Sequence, residues 1–174
     1  GGVLEARTGT GGGRQLNGNI VNQGAINIAS GISLYCNGAN QGLRQEAGSI
    51  NATNLFTWAD GRFDFVGGFL TGSVAVRNGS LDVGATAGAS TLIAAGNSTL
   101  LANRATNVTV WVEGGLYGDA TLTTSTNGSL NLGTIRLEST GGSYTSAIST
   151  PAPGLTNGPT GMIPCRPPVG GRRR

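Results

Sequence analysis

Two absences bound the chemistry open to this chain. Among its 174 residues there is no His, and all 11 basic residues are Arg, so there is no Lys either. Ser/His/Asp, Cys/His and Ser/Lys nucleophile systems therefore cannot be assembled within it, and metal sites built on His are excluded likewise. The best remaining constellation is ADGRFDF, residues 59–65, with Asp60, Arg62 and Asp64. Paired carboxylates beside an Arg are the equipment of glycoside cleavage, one giving a proton while the other attacks or stabilises the sugar carbon. On a strand, however, Arg62 and Asp64 project from one face and make a surface ion pair beside a turn Asp. One short cluster also lacks the further acids that such a site draws from neighbouring segments. The residue content thus points away from an enzyme, and it assigns no catalytic residue, metal ligand or cofactor.

The two cysteines, Cys36 and Cys165, have no CxxC or Cys/His spacing; they form one disulfide or remain two thiols. GDATL, around Asp119, is a single imperfect fragment of the Gly-rich calcium-binding repeat. Trp111 and the pair Phe56/Trp58 could stack on sugar rings, although an isolated aromatic on a strand more often serves local packing. Asn-x-Ser/Thr sequons stand at Asn51, Asn78, Asn97, Asn107 and Asn127, each a glycosylation acceptor if the source glycosylates. The net charge of +3 is a property of one end: Arg166, Arg172, Arg173 and Arg174 leave seven Arg against eight acids in the rest. A near-neutral body argues against a nucleic-acid partner. No run approaches the length of a membrane span, so no membrane insertion is expected. The start GGVLEA reads as a processed chain or an excised segment.

The elements that carry these residues are strands. AINIA, SLDV, NVTVWVE and SLNLGTIRLES place aliphatic residues two apart, the period of a half-buried strand, and no window sustains a helical period. In NVTVWVE, Val108, Val110 and Val112 face inward and Thr109, Trp111 and Glu113 outward. With aromatic residues at only 5%, the core must be thin and built from small aliphatic side chains. One phrase recurs, as VNQGAINIA from Val21, QEAGSINAT from Gln45, VRNGSLDVG from Val76 and STNGSLNLG from Ser125. Its glycines, Gly24, Gly48, Gly79 and Gly128, suggest a loose period in the mid-twenties, the signature of a solenoid whose coils stack like residues on like. Each Asn/Asp-Gly pair reads as a corner, and Asp82 as an outward side chain in a column of Asn.

The expected architecture is all-β. Residues 1–14 form a Gly-rich leader or cap, and residues 15–139 a single parallel β-solenoid of about five coils. Residues 140–174, which hold all six prolines, form an extended arm with a basic tail. From Thr140 to Cys165 such an arm spans about 80 Å. It could run back to Cys36 or cross to a neighbouring copy, with Met162, Ile163 and Pro164 as its anchor.

In the phrases GNIVNQGAINIASG, NGSLDVGATAGASTLIAAGNSTL and TNGSLNLGTIRLES the chain resembles secreted bacterial parallel β-helix proteins, the filamentous-haemagglutinin-like adhesins and autotransporter passenger domains. The resemblance is one of texture and covers about residues 15–139. It implies an extracellular or cell-surface location, adhesion or filament building, and no catalysis. The short length and the Pro-rich end favour a structural subunit that assembles with copies of itself, end to end or through the arm. The alternatives are an adhesin segment recognising glycans or a host surface and, third, a polysaccharide-degrading enzyme using Asp60 and Asp64.

Overall fold

A computed structural model describes residues 1–10 and 14–166, and among these every regular element is a strand. The stack opens with β1 (Val3–Ala6) and β2 (Arg14–Gln15). One coil then contains β3 (Ile20–Asn22), β4 (Ala25–Ile28) and β5 (Ser33–Asn37), and the next β6 (Gly42–Gln45) and β7 (Ser49–Ala59). The long β8 (Arg62–Arg77) makes a whole coil and is followed by β9 (Ser80–Ala87) with β10 (Ser90–Ala95). Beyond these lie β11 (Asn97–Asn103) and β12 (Val108–Val112), then β13 (Ala120–Thr124), β14 (Ser129–Asn131) and β15 (Thr134–Leu137). The last coil holds β16 (Ser146–Ser149) and β17 (Leu155–Asn157).

Every pairing between these strands is parallel, and the chain is a β-solenoid of about six turns. Three faces wind around one core. The first runs β3, β6, residues 62–68, β9 and β11, where it divides to meet β13 and β14. The second runs β1, β4, residues 49–52 and residues 69–72. The third runs β2, β5, residues 55–59, residues 73–77, β10, β12 and β15.

Alternation along each strand becomes a column across coils. On the third face Leu34, Phe56, Val74, Leu92, Val110 and Ile135 stack in register, all buried. On the first, Leu43, Phe63, Leu81 and Leu100 do the same. Each such side chain contributes about 1.5–3 kcal/mol by leaving water, and stacking lets a four- or five-residue strand share a continuous core. Four aromatic side chains join this core: Phe56, Trp58, Phe63 and Phe65 are fully buried.

The recurring phrase marks corners, but not one column of corners. Gly48 stacks on Gly24, where a Cβ would overlap the Gly24 carbonyl oxygen, and its φ of 69° is open to Gly. The next rung of that corner is Gly68, whereas Gly79 stacks on Gly61 at a different corner and Gly128 turns the chain between β13 and β14. Asp82 correspondingly stacks on Asp64 rather than on an Asn.

Both termini differ from the expectation in the same way. The leader already supplies a rung, since β1 pairs with β4 in register. Residues 140–166 do not run back along the shaft; they make a further coil, β16 pairing with β13 and β17 with β14. Met162 and Cys165 then bridge to Thr134 and Leu137. Pro164 has no N–H to give, so the ladder between these bridges is interrupted and no strand forms. Polar strands such as SAIS carry too weak an alternation to be read as rungs without the coil beneath them. Residues 167–174, with the Arg172, Arg173 and Arg174 tail, lie outside the described residues.

Candidate functional site

The proposed acids sit on the outer side of the first face. Arg44, Asp64 and Asp82 stack on successive rungs, with Arg62 beside them. Arg62 Nε lies 2.6 Å from Asp64 and Nη2 3.4 Å from Asp82, while Arg104 reaches Asp82 at 2.7 Å. Arg44 lies 3.9 Å from Asp64 and 2.6 Å from Glu46, whose carboxylate also accepts from Gln23. Those two partners, Arg44 first, hold the Glu46 carboxyl below its ordinary value of 4.5. Asp64 and Asp82 are thus engaged as ion-pair acceptors in a ladder of alternating charge. The third member, Asp60, turns the corner with φ 59° and is exposed.

That corner, where the third face hands over to the first, carries an open groove of about 490 Å³. Asn19, Gln41, Asp60, Arg62, Asn78 and Thr99 are among its lining residues. Gln41 is half-buried in its wall and reaches inward to Cys36, whose Sγ–H donates to Gln41 Oε1 at 3.4 Å. The Gly18 N–H donates to the same oxygen at 2.9 Å. A Cβ at Gly38 would collide with the Gln41 carboxamide, so Gly at this position lets that side chain lie against the turn. Burial pushes the Cys36 thiol up to about 11, with the Gly18 backbone opposing. Trp58 Nε1 is buried nearby against Gly61 and has no hydrogen-bond partner among the described residues.

The aromatic platforms are occupied. Phe56 and Trp58 share the inward side of β7, which corrects their reading as sugar-stacking residues. Thr57 between them faces outward, yet is buried, because Tyr117 from the β12–β13 loop folds back over three coils and its hydroxyl meets Thr57 at 2.8 Å. The same ring lies under Arg77, 4.9 Å from the guanidinium carbon. Trp111 does face outward, but Arg136 stacks on it at 4.2 Å and its Nε1 donates to the Glu138 carbonyl. Glu113 is outward and only 3% exposed, accepting from Thr140 and from the Leu116 N–H.

Cys36 and Cys165 fall in one inward column, through Trp58, Val76, Ala94, Val112 and Leu137. Six rung spacings separate them, about 29 Å at 4.8 Å each, whereas a disulfide needs Cα atoms within about 7 Å. The disulfide within the chain is therefore overturned, and both residues are free thiols, Cys36 buried and Cys165 exposed. Of the sequons, Asn78, Asn97, Asn107 and Asn127 are exposed. Asn51 is half-buried in a ladder, its Nδ2 donating to Asn27 at 2.7 Å while Thr71 donates to its Oδ1. Met162 and Ile163 are exposed on the final rung, at 60% and 38%.

Sequence reasoning missed an amide column at one corner of the first face, buried except at its exposed last member, Asn157. Asn103 Nδ2 donates to Asn131 Oδ1 at 3.0 Å, and Asn131 Nδ2 to Asn157 Oδ1 at 2.8 Å. At the start of the same column Asn22 donates to Gln45 at 2.6 Å. The recurring Asn after the aliphatic position was the signal, but its inward direction follows from the register. Among the described residues no group of three His, Cys, Asp or Glu could hold a metal ion. No family model matches the chain, and neither a curated protein nor a solved structure matches it.

Proposed function

We propose that this chain is a non-enzymatic structural protein of the cell exterior, a solenoid subunit that assembles with copies of itself into a filament or surface layer. The observation that carries this reading is the pattern at the two terminal rungs. β1 and β3 at one end, and β16 and β17 at the other, each pair on one side only among the described residues. Exposed apolar side chains accompany these edges, Val3 at 62% and Val21 at 60%, Met162 and Ile163 opposite. An open parallel edge accepts another strand, and a head-to-tail contact that does not close on itself propagates as a fibre. The ion-paired acids and covered aromatics of the outer face are in keeping with a shaft. Electron microscopy and light scattering of concentrated protein test the reading. Filaments or sheets are the expected result, and discrete monomers at high concentration would sink it.

A further inference from the structure

The Cys36–Gln41 pair places a nucleophile against an electrophile. We propose that these two side chains condense to an internal thioester. The sulfur is 3.4 Å from Gln41 Oε1, and the carboxamide carbon is one bond from that oxygen. The Gly18 N–H, 2.9 Å from the same oxygen, polarises the carbonyl and stabilises the oxyanion formed on attack. The turn is closed by the Gln41 N–H donating to the Gly38 carbonyl at 3.0 Å, and the missing side chain at Gly38 lets the carboxamide lie against the turn, beside Cys36.

The step balances without an external reagent. The Sγ–Cδ bond forms and the Cδ–Nε2 bond breaks, and the thiol proton leaves on nitrogen as ammonia. Thioester formation from an amide is uphill in open solution. Here the partners are held in contact, where effective molarities reach about 10⁵–10⁸ M, and ammonia is lost to bulk water. Burial raises the Cys36 thiol to about 11, so at neutral pH the sulfur keeps the proton that the departing nitrogen takes up as ammonia. The product carbonyl belongs to a groove-lining residue, so a primary amine entering the groove can capture it. Capture joins the amine to Gln41 as an amide and returns the Cys36 thiol.

Intact mass and thiol titration of the full chain, phosphine-reduced and then denatured in acid, test this directly. The expected result is a mass lower than the sequence mass by one ammonia, with one titratable thiol instead of two. Methylamine should add to Gln41, located in the peptide between Arg14 and Arg44, and restore the second thiol. Cys36→Ala should keep the full sequence mass. A wild-type chain of full mass with two thiols overturns the proposal. Ammonia loss with two thiols also overturns it, since that is succinimide formation at an Asn-Gly pair.

Discussion

Two columns on the first face meet the same demand, that a residue stack on its equivalent one coil away, by opposite chemistry. The outer column through Arg44, Asp64 and Asp82 puts two carboxylates on adjacent rungs, and Arg62 and Arg104 bracket them. The corner column through Asn103, Asn131 and Asn157 needs no second residue type. A carboxylate only accepts hydrogen bonds, so a stack of them requires interleaved cations and stays where water screens the repulsion. An amide both donates and accepts, so Asn103 donates to Asn131 and Asn131 to Asn157, and such a column can be buried, here with the Asn103 Oδ1 left without a partner among the described residues. That corner column is interrupted by Phe65 and Val83 in the middle coils, where the core is apolar on both sides.

The difference can be broken at its strongest point by Asn131→Leu. Asn131 is fully buried, donates to Asn157 and to the Gly133 carbonyl, and accepts from Asn103. Removing the amide orphans those partners, and urea denaturation should show a loss of about 3 kcal/mol. Asp82→Asn tests the ion ladder. The pairs it removes are substantially exposed on the Arg side, so the expected loss is below about 1 kcal/mol and should shrink further in high salt. A loss as large as that of Asn131→Leu would show that both columns hold the fold equally. The smallest effect concerns Glu46, whose carboxyl is lowered by Arg44 and Gln23. A lowered folded value contributes stability above the unfolded value, near 4.5, that disappears as pH falls through the folded one. Between wild type and Glu46→Gln, the stability difference seen at neutral pH should therefore vanish on acidification below that range.

Legibility from sequence followed the same division. Val108, Val110 and Val112 are buried as their alternation required, with Thr109 and Trp111 outward. Arg62 and Asp64 form the ion pair expected of two residues on one face of a strand. The interval from Gly24 to Gly48 was a true coil, but later ones misled because coil length varies. On the third face Val74, Leu92 and Val110 follow one another at 18 residues, while Thr109, Thr134 and Met162 are separated by 25 and 28. Corner loops lengthen without disturbing the stacked strands, so an identical phrase can serve different corners. Phe56 and Trp58 show the complementary limit: period two told that they share a face, but the inward direction came from the coils on either side.

Taken alone, the sequence determined that this chain is built of short strands, that it lacks His and Lys nucleophile systems, and that small aliphatic side chains make its core. These are properties of composition and of period two, which act within a few residues. The register decided the rest: that Asp64 lies on Asp82, that Asn131 points inward, that Cys36 is about six rungs from Cys165 and instead touches Gln41. In a parallel stack every lateral neighbour is supplied by another coil, 18–28 residues away, and only the folded path brings it into contact.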